Sequence, residues 1–444
     1  MLRIGAFPMT HPASDPRIKY DPYWWEAAPR PDLPVPDLPA KAEVAVVGSG
    51  YAGLACALRL ARAGRQVVVF DAEAAGWGAS SRNQGQIGAV FKRSFKQMVE
   101  TYGREKTFAI YRDGQRAVAF VKDLIREEGI DCHLEANGRL VLAYTPEHYD
   151  TLGRELEVLR KEVGYEADMV PRAEQRNEIG TDFYYGAQLR HADASVHGAL
   201  FHQGLLDRVV QAGATVAPHT PVTGIHRHDK GFVVETPRGR VAADEVVIAT
   251  NGYTGSVTPD LRRRVLSMGA YIIATEPLPE ETIRAINPNR RVCSDTRKLI
   301  YGIRVAPDQP RMIFGGRPAM TETNPKKTAP MLYEKMTEIF PQLEGVGITH
   351  AWTGFVAFTF RFLPSIGKRE GMHYVLGCSG TGVAAHTWLG DRIAGRILGA
   401  NDTETAYDDI PFETRPFYNG NTWFLSAVVR WYRYKDRIAH RPAE

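Results

Sequence analysis

A glycine-rich turn between two β-branched runs constrains the fold of this chain more than any other feature of its sequence. The stretch from Val44 to Ala72 reads VAVVGSGYAGLACALRLARAGRQVVVFDA. Its two apolar runs predict strands, and Leu54 to Ala63 has the composition of a helix between them. A strand, a tight turn, a helix and a second strand form a βαβ unit, so the sequence predicts a mixed α/β fold with a parallel sheet.

The glycines of this turn have separate physical roles. Gly48 permits the tight turn, Gly50 lets a pyrophosphate approach the backbone, and Gly53 lets the helix lie close to the strand. The helix N-terminus then faces the phosphate charge, and Asp71 can accept hydrogen bonds from a ribose. A purely structural turn is the alternative, and the motif does not separate NAD from FAD. The predicted dinucleotide contacts are Gly48, Ser49, Gly50, Tyr51, Ala52, Gly53, Asp71 and Ala72.

The loop after Asp71 favours a flavin. It reads AEAAGWGASSRNQGQIG from Ala72 to Gly88, where an NAD domain would usually continue into another helix and strand. Small residues let backbone amides close on a flat ring, and the serine, arginine and amide side chains offer hydrogen-bond donors. A flexible surface loop is the alternative. The predicted contacts are Gly78, Ala79, Ser80, Ser81, Arg82, Asn83, Gln84, Gly85, Gln86 and Ile87.

Two later stretches repeat this type of strand and turn. ADEVVIATNGYTG begins at Ala243, and HYVLGCSGTGVAAHTWLGDRIAGRILG begins at His373. In the second stretch, glycines open a helix whose positive end can face the electron-rich edge of a flavin. Packing alone would also explain either stretch. The predicted contacts are Thr250, Asn251, Gly252, Gly377, Gly380, Thr381, Gly382 and Val383.

These stretches, with YIIATEPL from Tyr271 to Leu278, resemble the FAD-dependent D-amino acid oxidase superfamily over about residues 20–400. The resemblance is closest to the branch that contains gamma-glutamylputrescine oxidase, with glycine, sarcosine and iminodiacetate oxidases as relatives. It implies FAD as the cofactor and a backbone contact of Val222 with the adenine. Relatives with covalent flavin use a cysteine or a histidine in the segments that correspond to residues 353–366 and 76–81. This chain has neither residue there, so we expect non-covalent FAD.

The resemblance also implies a domain organisation. Residues 41–90, 190–260 and 345–400 would form a discontinuous, Rossmann-like FAD-binding domain. Residues 91–189 and 261–344 would form an interleaved α+β substrate domain on a mostly antiparallel sheet. Before them we expect an extended arm over residues 1–40, and after them a tail over residues 401–444. The tail is rich in aromatic and basic residues, which indicates either a helix docked on its own domain or a contact with a second subunit or a membrane surface.

Candidate substrate residues lie on the strands that the resemblance places opposite the flavin. Arginine has a planar fork that matches a carboxylate. Arg361 is the first candidate because it lies among three phenylalanines, and Arg304 is the second. A structural salt bridge is the alternative for each arginine. The other predicted substrate contacts are Tyr271, Tyr301 and Trp352.

The activity implied is oxidation of the C–N bond of a small secondary amine or N-substituted amino acid, with O2 as the electron acceptor. A dehydrogenase that uses a quinone or protein acceptor, a subunit with structural FAD and a tRNA-modifying flavoprotein are alternatives. The 55 basic and 51 acidic residues are scattered, which argues against a nucleic-acid partner. Four widely spaced cysteines predict no metal site, and the absence of a secretory start or a long apolar run predicts a cytoplasmic protein with no membrane span. The tail is where we expect any homo-oligomer to form.

Overall fold

The computed structural model describes residues 11–228, 230–321 and 324–439. Residues 1–10 of the predicted arm and residues 440–444 of the predicted tail lie outside the described residues. In the described part of the chain, two eight-stranded sheets carry most of the structure, and a two-stranded ribbon lies beside them.

The described chain contains helices and strands throughout its length. The helices are α1 (Trp24–Ala27), α2 (Tyr51–Arg62), α3 (Phe95–Tyr102), α4 (Arg104–Glu127), α5 (Pro146–Val163), α6 (Gly198–Gln211), α7 (Pro259–Arg262), α8 (Glu280–Ile286), α9 (Pro325–Ile339), α10 (Gly382–Leu398) and α11 (Leu425–Ala439). The strands are β1 (Lys41–Val47), β2 (Val67–Phe70), β3 (Gln86–Ile87), β4 (Arg139–Leu142), β5 (Ala167–Val170), β6 (Ala187–Arg190), β7 (Ala194–Ser195), β8 (Thr215–Ala217), β9 (Gly224–His228), β10 (Gly231–Thr236), β11 (Gly239–Ile248), β12 (Val265–Thr275), β13 (Val292–Asp295), β14 (Gly302–Val305), β15 (Met312–Gly316), β16 (Ile348–Thr359), β17 (Ser365–Arg369) and β18 (Met372–Leu376).

The first sheet contains the predicted βαβ unit. Its strand order is β17-β18-β11-β1-β2-β8, and β9 and β10 extend it from β11. β1 runs parallel to both neighbours, with Val44 opposite Glu245 on β11 and Val67 on β2. β18 and β8 are also parallel to their partners in the centre of the sheet. The predicted parallel sheet is therefore confirmed.

Small residues allow the helices to approach this sheet and one another closely. α2 packs against α10, where a Cβ on Gly390 would lie 2.2 Å from the carbonyl oxygen of Ala52. Leu54, Leu60 and Leu389 are fully buried in the core between these helices and the sheet. Burial of each such leucine contributes about 1.5–3 kcal/mol, so this core fixes the position of the N-terminus of α2.

The second sheet is mostly antiparallel, as predicted, in the order β16-β12-β15-β14-β13-β4-β6-β5. Only the β13 and β4 pair in this sheet is parallel. β16 pairs with β12 from Thr359 opposite Val265 to Ile348 opposite Thr275. β16 therefore satisfies its backbone groups on β12 before the chain crosses to β17 in the first sheet. The predicted domain boundaries, with residues 345–400 in the FAD-binding domain, stay a prediction.

The N-terminal arm packs its aromatic residues onto the body of the protein. Tyr23 and Trp24 are buried, and the Tyr23 hydroxyl donates to Asp308 over 2.7 Å. The indole of Trp24 donates to the carbonyl oxygen of Asn83 over 2.8 Å, and that of Trp25 donates to Ser81 Oγ over 2.9 Å. The arm is therefore attached to the loop that the sequence assigned to the flavin.

The C-terminal helix α11 docks on the second sheet. Leu425 and Val429 are buried against Met320 and Phe358, while Trp423 is largely exposed. The carboxylate of Asp436 accepts hydrogen bonds from two backbone N–H groups, at residues 298 and 299. In the described residues, no helix combines the length and the hydropathy that crossing a bilayer requires.

Candidate active site

A cavity between the two sheets brings together residues from distant parts of the sequence. The N-termini of α2 and α10 form one wall, and strands of the second sheet form the opposite wall. The loop before β3 also enters the cavity. The predicted cofactor residues that line it are Gly50, Tyr51, Ala52, Ala79, Ser80, Arg82, Asn83, Gln84, Gln86, Asn251, Gly380, Gly382 and Val383.

The glycine turn before α2 is held by close backbone contacts. Gly48 has φ +105°, and a Cβ there would lie 2.9 Å from the carbonyl oxygen of Ala249. A Cβ on Gly53 would lie 1.9 Å from the carbonyl oxygen of Gly48. At Gly50 an added Cβ would meet Ser80 Oγ at 3.0 Å. The turn therefore has no room for side chains at Gly48 and Gly53, and Gly50 presents its backbone to the cavity.

Asp71 fixes this turn from the end of β2. Its Oδ2 accepts hydrogen bonds from the backbone N–H of Ser49 over 3.1 Å and from Ser49 Oγ over 2.5 Å. Its Oδ1 accepts from the backbone N–H of Glu73 over 3.1 Å. Burial raises the pKa of the Asp71 carboxyl above its usual range. The carboxylate thus orients the loop, and its contact with a ribose stays a prediction.

The other predicted cofactor residues do not line the cavity. Ser81 Oγ donates to the carbonyl oxygen of Gly76, and the backbone N–H of Gly377 donates to Asn251 Oδ1 over 3.0 Å. Val222 is half-buried beside the core of the first sheet. These contacts hold the lining segments in place. The remaining residues of this group are Ala72, which is exposed, and Gly78, Gly85, Ile87, Thr250, Gly252 and Thr381.

The cavity fits an anionic dinucleotide that carries an electron-rich ring. α2 and α10 have no acidic residue in their first turns, so no carboxylate neutralises their positive ends at the cavity. At α2, Ser80 Oγ accepts a hydrogen bond from the backbone N–H of Tyr51 over 3.1 Å. His386 of α10 also lines it, and its buried Nε2 has no hydrogen-bond partner among the described residues. Burial lowers the pKa of His386 to about 3, so this imidazole is neutral. The positive ends of two helices suit the pyrophosphate and the electron-rich ring of FAD.

Of the predicted substrate residues, Tyr271 lines the cavity and is fully buried. Trp352 does not line it, and its indole donates to the carbonyl oxygen of Arg82 over 2.8 Å. Tyr301 also lies outside the lining, where it stacks on Phe314 with ring centroids 5.5 Å apart.

The structure gives both predicted arginines structural partners. Arg361 forms an ion pair with Glu413, in the segment after α10, and does not line the cavity. Arg304 is completely buried, and its Nη1 donates to the carbonyl oxygens of Gln84 and Val196, each over 2.8 Å. Arg361 lies just after β16, and its aromatic sequence neighbours do not determine which partner its guanidinium meets. The contact of either arginine with a substrate stays a prediction. For both arginines the geometry agrees with the salt-bridge or structural alternative.

Three cationic residues that the sequence did not single out line the cavity instead. They are Lys92, Arg139 and Arg317, and Arg82 of the flavin loop is a fourth cation in the wall. No aspartate or glutamate is among the lining residues of the described chain. Arg139 has Asp193 as a partner, at 3.2 Å from Nε to Oδ2. In the described part of the chain, no carboxylate forms an ion pair with Lys92 or Arg317.

Arg317 is positioned by the end of β15. Its guanidinium carbon lies 4.8 Å from the ring centroid of Phe358, and its buried Nε has no hydrogen-bond partner among the described residues. Burial lowers the pKa of Arg317 to about 10, which leaves it charged at neutral pH. The signal in the sequence is the pair Gly315 and Gly316 directly before it, because glycines in an apolar strand mark a close approach of other groups, here the side chains of Gln84 and Tyr301.

Three comparisons with known proteins agree with this geometry. The family described as DAO, FAD dependent oxidoreductase, matches residues 43–396. The chain is 30% identical to gamma-glutamylputrescine oxidoreductase of Escherichia coli over 401 residues, which cover 89% of this chain and 93% of that protein. It is 31% identical over 428 residues to a probable oxidoreductase, OrdL, of Rhizobium meliloti, covering 94% of this chain and 98% of the relative.

The fold is similar to that of solved amino acid oxidoreductases. The structure of glycine oxidase from Geobacillus kaustophilus superposes with a TM-score of 0.71 at 22% identity, covering 85% of this chain and 99% of that one. L-proline dehydrogenase from P. horikoshii superposes with a TM-score of 0.69 at 20% identity, covering 84% and 97%.

Proposed function

Because the chain belongs to the DAO family of FAD-dependent oxidoreductases, we propose that it oxidises the C–N bond of a small secondary amine or N-substituted amino acid that carries a carboxylate. O2 is the electron acceptor in this proposal, and the products are an aldehyde or oxo acid, an amine and H2O2. The observation that carries the proposal is the cationic cavity, in which Arg317 has no acidic partner among the lining residues. A buried and uncompensated guanidinium is costly unless the ligand supplies the anion.

The proposed roles of the residues follow from their places in the cavity. FAD, when bound, supplies the two-electron oxidant that accepts a hydride from the carbon next to the amine nitrogen. The N-termini of α2 and α10 hold its negatively charged groups. Arg317 holds the substrate carboxylate through paired N–H donors, and Tyr271 packs beside the reacting carbon and excludes water. The chain itself needs to supply no nucleophile.

The first test is a screen for substrates. The purified protein, reconstituted with FAD, is mixed with secondary amines, N-alkyl amino acids and polyamine derivatives, and flavin reduction is followed without oxygen. We expect bleaching by carboxylate-bearing amines, with H2O2 release when air is admitted. If the flavin is bleached but no H2O2 forms, and the reduced flavin passes its electrons to a quinone dye, the protein is a dehydrogenase and not an oxidase. A flavin that no amine reduces would contradict the proposal.

The second test compares two arginines. In Arg317→Ala we expect kcat/KM to fall by about thirtyfold to a few thousandfold, which corresponds to loss of a charged pair of about 2–5 kcal/mol. Arg361→Ala is the matched control because its guanidinium pairs with Glu413 outside the cavity. It should keep kcat/KM within about threefold, because neither Arg361 nor Glu413 lines the cavity. A larger loss of kcat/KM in Arg361→Ala than in Arg317→Ala would indicate that Arg361 binds the carboxylate.

A further inference from the structure

Lys92 occupies an unusual position in the cavity wall. Its Cε and Nζ lie 3.7 and 3.8 Å from the point where a Cβ on Gly380 would sit, at the turn before α10. Nη2 of Arg317 lies 3.5 Å from the same point. Among the described residues, Lys92 Nζ has no hydrogen-bond or ion-pair partner, although it lines the cavity. The amine is therefore directed at whatever fills the cavity, beside the guanidinium assigned to the carboxylate.

The charges around Lys92 come from several elements. Arg317 follows β15, Arg139 lies on β4, and both place positive charge near the amine. Asp295 on β13 and Cys378 before α10 raise the pKa of Lys92, but Asp295 is already paired with Arg297. Burial, with these two positive charges, lowers the pKa of Lys92 to about 7. The other titratable groups that line the cavity are Tyr51, Arg82, Tyr271 and His386.

Burial therefore affects the two neighbouring cations differently. Arg317 keeps its proton at neutral pH, whereas lysine loses its proton readily when it is buried beside other positive charges. At neutral pH, Arg317 can bind an anion, and Lys92 can exist as a free amine with a lone pair. The free amine is the form that accepts a proton.

We propose that Lys92 Nζ is the base that takes the proton from the ammonium nitrogen of the substrate while Arg317 holds its carboxylate. This inference rests on the proposed function. In the step, the N–H bond of the substrate ammonium breaks, its electron pair stays on the substrate nitrogen, and a new N–H bond forms at Lys92. A substrate R2NH2⁺ and a neutral lysine give R2NH and a lysine ammonium, so charge and protons balance. Only the neutral amine has the lone pair that assists hydride loss from the adjacent carbon.

The test is the pH dependence of kcat/KM for the best substrate of the screen. The wild type should lose activity as the pH falls through about 7, because protonated Lys92 cannot accept a proton. Lys92→Met should lose about a hundredfold at pH 7, the usual contribution of a general base. Its activity should recover as the pH approaches the pKa of the substrate amine, where solvent removes the proton. FAD content should stay unchanged.

Two control variants separate a base from a simple cation. Lys92→Arg restores a positive charge but cannot become neutral, so it should not recover the lost activity. Lys96→Met removes an exposed charge from the neighbouring helix α3 and should keep the wild-type profile. Full activity in Lys92→Arg, or an unchanged acidic limb in Lys92→Met, would overturn the role of Lys92 and leave the proposed function intact. If no amine reduces the flavin, both proposals fail together.

A second measurement does not depend on turnover. The lysines are methylated with carbon-13, and the resonance that disappears in Lys92→Met is titrated by NMR with and without FAD. We expect a midpoint near 7. A midpoint near 10, the ordinary range of lysine, would overturn the inference.

Discussion

At the scale of single residues, a close backbone contact at Gly53 leaves room for glycine alone. A Cβ there would lie 1.9 Å from the carbonyl oxygen of Gly48, which belongs to the tight turn itself. Backbone atoms cannot move aside as a flexible side chain can. The turn and the first residues of α2 would have to shift together, and they form one wall of the cavity.

We therefore expect Gly53→Ala to lower the free energy of unfolding by at least about 1–3 kcal/mol, as overpacking does, and to weaken FAD binding. Gly153→Ala in α5 is the matched control because nothing lies within 4 Å of its added Cβ. It should stabilise the protein by about 0.5–1 kcal/mol through the better helix propensity of alanine. Urea unfolding and FAD titration measure both effects, and normal FAD affinity in Gly53→Ala would contradict this reasoning.

The residues of the site differ in how far the sequence could predict them. Gly50 and Asp71 belong to a local pattern with fixed spacing, and local backbone geometry determines their positions. Lys92 and Arg317 carry no such pattern. They meet because separate strands and loops converge on one cavity, and the sequence does not specify that convergence. Arg361 appeared favourable from its aromatic neighbours, but Glu413, which lies far along the chain, is its partner.

At the scale of elements, the short helix α1 supports the flavin loop from outside. The indole of Trp24 donates to the carbonyl oxygen of Asn83, and its ring is fully buried beside Trp352, with centroids 6.5 Å apart. Trp352 in turn donates to the carbonyl oxygen of Arg82. Two tryptophans from opposite ends of the sequence thus hold adjacent carbonyl groups of one loop.

Trp24→Phe should weaken FAD binding by about two- to tenfold, because one buried hydrogen bond contributes about 0.5–1.5 kcal/mol. Fluorescence titration of the apoprotein with FAD measures this change. Trp423→Phe is the control because Trp423 is 74% exposed, and it should bind FAD like the wild type. Equal affinities in the two variants would mean that α1 does not influence the loop.

The elements of the first sheet could be predicted more reliably than those of the second sheet. β1, α2 and β2 follow from apolar periodicity and the glycine turn. β16 could not be assigned to its sheet from sequence, because an apolar strand such as ITHAWTGFVAFT satisfies its hydrogen bonds equally well beside β12 or beside β17. Only the long-range pairing decides between these neighbours.

At the scale of the whole molecule, the cavity proposed for FAD lies between the two sheets, so FAD should stabilise the complete structure. A ligand present at a hundred times its Kd adds about 2.7 kcal/mol to the stability of the protein. Removal of FAD should therefore lower Tm by several degrees, and addition of FAD should restore it. Tm is measured by calorimetry at several FAD concentrations, because the increase in Tm must grow with the FAD concentration.

The same sample tests how FAD is held. Cys378 lines the cavity, yet its Sγ contacts the carbonyl oxygen of Ala357 at 3.8 Å. After acid denaturation we expect all flavin in the supernatant. A fluorescent flavin band that stays on the polypeptide in a denaturing gel would overturn the expectation of non-covalent FAD.

The first sheet is built from three separated segments of the chain, and this arrangement has a consequence for biosynthesis. β1 and β2 leave the ribosome early, but β18 and α10 follow only after residue 371. From the synthesis of β11 until then, the end of β11 that pairs with β18 stays open, and the cavity lacks the wall formed by α10. Pairings over such long sequence separations form slowly, and an unpaired strand edge can recruit other chains. Between the synthesis of β11 and that of β18 the nascent chain is therefore open to aggregation at this edge, and FAD can assist its folding only after α10 has formed.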